Sequence, residues 1–108
     1  VQALTALADP TRRAIVEMLA RGERSAGEVV DAFELSAPAV SQHLKVLRDA
    51  GLVQVRAEGQ RRIYTLDTRG LEELDAWMGR IRGFWTGRLD VLERKLRDAD
   101  APRKGRSR

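Results

Sequence analysis

The 108-residue sequence predicts a mainly α, α+β fold, and three observations carry that reading. Helix-start signals stand at Asp9, Ser25 and Ser36, each followed by apolar residues at helical spacing. After Gly51 the apolar period shortens from helical to alternating over two short runs. From about residue 69 to residue 98 it becomes helical again.

The elements follow in order. A short first helix is read in "VQALTALA". In "ADPTRRAIVEMLARGE", Asp9 serves as N-cap and Pro10 takes the first helical position, where its missing N–H costs nothing. Ala14, Ile15, Met18 and Leu19 form the buried stripe, and Gly22 ends it. "SAGEVVDAFEL" places Ser25 and Glu28 in capping-box spacing, with Val29, Val30 and Phe33 turned inward. Ser36 and Pro38 then start a helix from Ala37 to Ala50, with Val40, Leu44 and Leu47 as its apolar stripe and Gly51 as a left-handed cap. "LVQVRA" and "RRIYTL" read as two strands joined at Glu58-Gly59-Gln60, and Thr68 caps a helix from Arg69 to Asp98. Short helices followed by a hairpin and a long helix give the order of a winged helix-turn-helix with a two-stranded wing. An unrelated α+β domain can share that order. Residues 1–98 are expected to form one domain, and residues 99–108 a basic, disordered tail.

Composition removes several function classes. The chain has no cysteine, so disulfides, thiolate metal sites and cysteine nucleophiles drop out together. No apolar run nears the roughly 18 residues of a membrane span, and no signal peptide opens the chain, so a cytoplasmic protein without membrane contact is expected. The net charge of +4 and the isoelectric point near 10.3 are misleading, because "APRKGRSR" holds four basic residues and no acid. Residues 1–100 carry 16 of each sign. A nucleic-acid footprint must therefore come from local clustering.

Such a cluster exists. Projecting the Ala37–Ala50 helix at about 100° per residue puts Pro38, Gln42, Lys45 and Asp49 opposite the apolar stripe, with Ser41 and Arg48 along one flank. A hydroxyl, an amide and cations near a helix N-terminus can reach base edges and phosphates in the major groove, and they can equally be plain solvated residues. Arg56, Arg61 and Arg62 flank the hairpin tip. Between Val40 and Tyr64 five basic residues face two acids. An arginine-bearing wing suits the phosphate backbone or the minor groove.

The strings "ALADPTRRAIVEMLA" and "SAPAVSQHLKVLRDAGLVQVRAEGQRRIYTL" resemble winged-helix transcriptional repressors of the ArsR/SmtB type. The likeness covers roughly residues 3–98, and S-x-H-L-x-x-L-x-x-A-G-L-V is its most specific part. It implies that the helix after Ser36 reads double-stranded DNA and the hairpin is the wing. Pro38, Ser41, Gln42, His43, Lys45, Arg56, Arg61 and Arg62 become DNA-contact candidates, with Arg48 beside them. Metal-sensing members of the family use cysteines near the reading helix, or histidine and acids on the last helix. Neither set is present, and oxygen-only ligands suit zinc or copper poorly. His43, the sole histidine, supplies one ligand where a structural zinc needs four. No nucleophile-and-base set, phosphate-binding loop or carboxylate pair accompanies it, so neither an enzyme nor a resident cofactor is expected.

The last helix carries Leu71, Leu74, Met78, Ile81, Trp85, Leu89 and Leu92 at steps of three or four, continued by Leu96 and widened by Trp77, Phe84 and Val91. So broad a face on a helix of nearly 30 residues exceeds what a winged head can cover, so a two-fold dimer is expected there. Gly79, Gly83 and Gly87 recur every fourth residue, either for close helix packing or to line a pocket for an apolar effector. The expected function is a homodimeric, metal-independent repressor that binds an inverted-repeat operator and answers to an unidentified small-molecule or protein effector. The alternative is a winged-helix protein-interaction module that no longer binds DNA.

Overall fold

The computed structural model describes residues 1–106, and side chains through residue 99. Eight elements follow in order: α1 (Gln2–Ala6), α2 (Pro10–Arg21), β1 (Arg24–Ser25), α3 (Ala26–Phe33), α4 (Ala37–Asp49), β2 (Val53–Glu58), β3 (Arg61–Leu66) and α5 (Thr68–Arg106). They make two compact units, Val1–Asp75 and Ala76–Arg108.

The head, Val1–Asp75, forms where the start signals stand. Asp9 accepts the Arg12 N–H at 3.0 Å, Ser36 accepts that of Ala39 at 3.2 Å, and Ser25 and Glu28 close the full reciprocal capping box. Helices α1 to α4 and the sheet enclose Ala3, Ala6, Ile15, Leu19, Val29, Val40, Leu44, Leu47, Leu52, Val53 and Tyr64. Val30 and Phe33 pack at its margin, half-buried. Gly51 takes φ +72° after α4, the left-handed turn that lets the chain reverse into β2.

The hairpin pairs antiparallel from Val53 opposite Leu66 to Glu58 opposite Arg61. Its connection is two residues rather than three: Glu58 belongs to β2, and Gly59 at φ +64° begins the turn. The sheet also has a third strand, which the sequence pattern did not announce. β1 pairs Arg24 with Tyr64 and Ser25 with Ile63, giving the order β1-β3-β2. Two residues are too short to show a period.

The start of α5 corrects a cap assignment. Asp67, not Thr68, accepts the Arg69 N–H at 3.0 Å, and its carboxylate also takes the Arg69 guanidinium at 2.6 Å. Asp67 is buried, and its own N–H donates to the Leu52 carbonyl at 2.9 Å, which pins the sheet end and the helix start together. The Arg69 side chain and N–H hold the Asp67 carboxyl below its ordinary value. The first turn of α5 meets the α4–β2 turn through Gly70, whose N–H donates to the Gly51 carbonyl at 2.8 Å. Leu71 and Leu74 pack against the head's core.

The second unit, Ala76–Arg108, is described along α5 as far as Arg106. The helix passes both the expected end at Asp98 and the expected start of the tail at residue 99; residues 107–108 lie outside the described residues. Helix-favouring residues continue through Ala99 without a stop signal. No helix among the described residues is long and apolar enough to cross a membrane.

Candidate nucleic-acid interface

Helix α4 divides its side chains cleanly. Val40, Leu44 and Leu47 are buried, while Pro38, Ser41, Gln42, Lys45 and Arg48 are exposed. The inward stripe locks the helix in rotation, and so fixes which groups face outward. The face offers a hydroxyl, an amide with paired donor and acceptor, and two cations that no ion pair among the described residues occupies.

His43 sits differently. It is half-buried, with Nδ1 at 3.4 Å from Nη1 of Arg12, whose Nε donates to the Ala6 carbonyl at 2.6 Å. A guanidinium can only donate, so in this contact Nδ1 can take part only as the acceptor. His43 thereby joins the outward-facing helix to the N-terminal turn of α2. Among the described residues no group of three or more His, Cys, Asp or Glu side chains could hold a metal ion.

The wing sorts its three arginines by strand alternation. Opposite residues in an antiparallel pair share a side of the sheet, so Arg56, Glu58, Arg61 and Ile63 fall on one side. Arg62 falls on the other with Ala57, Val55 and Tyr64. Arg56 is doubly engaged: its Nη1 and Nη2 donate to the two oxygens of Glu23 at 2.7 and 2.9 Å, and Nη2 reaches Glu58 at 3.0 Å. Those carboxylates raise the Arg56 pKa, and the Arg56 hydrogen bonds lower that of Glu23. Arg61 contacts Glu28 at 3.3 Å, on the oxygen that also accepts the Ser25 N–H at 2.9 Å. That Ser25 bond is the main cause of the lowered Glu28 pKa, with Arg61 adding to it. Arg62 is exposed and has no such partner among the described residues.

Residues 9–55 match the family described as bacterial regulatory protein, arsR family. The chain is 52% identical over 88 residues to the HTH-type transcriptional regulator Rv2034 of Mycobacterium tuberculosis, spanning 82% of this chain and 79% of that one. It is 37% identical over 73 residues to the transcriptional repressor SdpR of Bacillus subtilis, spanning 68% and 81%. The chain belongs to the arsR family of bacterial transcriptional regulators. Its fold is that of the family: the homodimeric winged helix-turn-helix DNA-binding domain Mb0332 of Mycobacterium bovis superposes with a TM-score of 0.62 at 29% identity, covering 76% of each chain. The arsR family match takes in α2, α3, α4 and the start of β2, so it contains the outward face of α4 and stops short of the wing tip.

Glu23, Glu28 and Arg12 were not legible as parts of this surface. The Glu23–Arg56 and Glu28–Arg61 pairs each join residues 33 positions apart, and the Arg12–His43 contact spans 31. Local pattern cannot register such a separation. Glu28 was readable as a capping residue, and that reading holds, but its second bond to Arg61 was hidden behind it.

Leu71 and Leu74, expected at a dimer interface, serve the head's own core. Met78, Ile81, Trp85, Leu89 and Leu92 remain between 40% and 58% exposed, as does Phe84 beside them.

Proposed function

We propose that the protein is a homodimeric, metal-independent repressor that reads an inverted-repeat DNA operator with α4 and steadies itself on phosphates with its wing. The observation that carries this reading is the exposed face of Pro38, Ser41, Gln42, Lys45 and Arg48, held in fixed rotation by the buried Val40, Leu44 and Leu47. Gln42 is suited to bidentate pairing with adenine, while Lys45 and Arg48 suit phosphates or guanine edges. His43 sits at the rim of this face, half-buried beside Arg12. The wing contributes Arg62 foremost. The second copy is the occupant proposed for the exposed apolar face of α5, and the homodimeric state of the similar Mycobacterium bovis domain supports a dimer. Two α4 helices then meet successive major grooves about one helical turn apart. A cytoplasmic site of action fits a regulator of this kind.

The test is retardation of the protein's own promoter fragment at two salt concentrations, against a random duplex of equal length. Tighter binding to the promoter, weakened by salt and unchanged by a chelator, is expected. Equal affinity for both duplexes, or no retardation at low salt, points to a protein-docking module instead. Gln42→Ala is expected to shrink the preference for the promoter by about 1–3 kcal/mol while leaving random duplex affinity in place.

A further inference from the structure

We propose that Glu23 and Arg56 form a strut that sets the wing, and that Arg56 is a positioning residue rather than a phosphate contact. The inference rests on the DNA-binding reading for its functional sense, and on the wing's own geometry for its structural sense.

Beyond Ile63 and Tyr64, which β1 covers, the hairpin has no third strand among the described residues. Its tip from Arg56 to Arg62 is exposed throughout, and an isolated two-stranded ribbon is marginal in water. Side-chain ties therefore have an outsized part in fixing its angle. Glu23 stands in the connection between α2 and β1, and the two parallel N–H···O bonds from Arg56 clamp strand β2 to that connection. A bidentate fork of this kind has directional geometry, unlike a simple ion pair. Glu28, at the N-terminus of α3, ties Arg61 in the same sense.

Electrostatics argue that Arg56 stays where it is. To reach a phosphate it must leave Glu23 and Glu58 together, exchanging one set of charge-assisted bonds for another. Two uncompensated carboxylates would then lie beside the phosphate backbone. Arg62 meets no such penalty, because no acid holds it among the described residues and it lies on the other side of the ribbon. The wing thus brings one unencumbered guanidinium to DNA, and the arginine six positions earlier aims it.

The experiment uses the full chain and the promoter duplex, with affinity measured across a salt series for wild type, Arg62→Ala, Arg56→Ala and Glu23→Gln. Removing a phosphate contact lowers the slope of log affinity against log salt by about one per subunit. Arg62→Ala is expected to do so. Arg56→Ala and Glu23→Gln are expected to keep the wild-type slope, to weaken binding alike by no more than about fivefold, and to be non-additive when combined. The charge-swapped pair, Glu23→Arg with Arg56→Glu, is expected to recover affinity. A slope loss in Arg56→Ala equal to that of Arg62→Ala overturns the strut, as does tighter binding by Glu23→Gln, which would show a masked contact released. Amide hydrogen exchange at residues 57–61 without DNA supplies a second readout: faster exchange in both single variants supports the strut, and unchanged exchange overturns it. Failure of the wild type to bind any duplex defeats the repressor reading and leaves the exchange result to decide the strut.

Discussion

The two units of this chain spend their residues in opposite ways. Val1–Asp75 holds 12 acidic and 10 basic residues and closes a core of its own; Ala76–Arg108 holds 4 acidic and 10 basic residues, and Met78, Ile81, Phe84, Trp85, Leu89, Leu92 and Leu96 stay 40–62% exposed along it. This member of a family of transcriptional regulators thus has a head with a slight acidic excess. Under the proposed function, its DNA-facing character lies in which cations are left unpaired, not in total charge. The second unit carries apolar area that only another surface can remove from water, and that makes its stability a matter of assembly.

The largest effect expected from this contrast is at Trp85. Under the dimer proposal, an exposed aromatic at the middle of the stripe is an anchor, and truncation of such a residue costs about 2–4 kcal/mol of association. Trp85→Ala is expected to shift the molar mass in sedimentation toward the monomer while the head keeps its secondary structure. A mass unchanged at micromolar concentration would place the dimer seam elsewhere and break the comparison.

A smaller effect tests the head. Gly70 lies in α5's first turn with its backbone on the α4–β2 turn, and a Cβ there would sit 2.7 Å from the Gly51 carbonyl oxygen and 2.8 Å from that of Ala50. Both neighbours are backbone and cannot swing aside. Gly70→Ala is expected to destabilise the head by about 1–3 kcal/mol, read as a lower denaturant midpoint. Stability within about 0.5 kcal/mol of wild type would mean that the helix start can lift from the turn without cost.

Gly70 also marks the limit of what the sequence could show. Caps, apolar stripes and the change of period at Gly51 were legible because each is a local rule acting within four residues. The α4 face was legible for the same reason: Val40, Leu44 and Leu47 dictate the rotation that exposes Ser41, Gln42 and Lys45. Contacts made by distant segments were not. The Gly70–Gly51 approach, the β1 pairing and the Glu23–Arg56 fork all depend on the finished tertiary arrangement. Strand alternation sets Arg62 apart from Arg56 and Arg61, but the long-range carboxylates Glu23 and Glu28 that engage those two are not visible in the sequence. The cap at Asp67 was missed by one residue, because Asp and Thr are both good caps and stand side by side.

The smallest effect has the opposite sign and comes from the same residue type in the same helix. Gly83 has nothing within 4 Å of where a Cβ would stand, in contrast to the crowding at Gly70. At about 100° per residue, Gly83 projects roughly 150° from the centre of the stripe defined by Met78, Trp85, Leu89 and Leu92, and Gly79 and Gly87 lie on the same side as Gly83. The ridge is therefore away from the face proposed for the second copy. Alanine there adds helix propensity without meeting a neighbour, so Gly83→Ala is expected to stabilise by about 0.5–1 kcal/mol and to leave the dimer's mass unchanged. Loss of the dimer in this variant would show that a partner backbone approaches the glycine ridge, and would move the seam by nearly half a turn around α5.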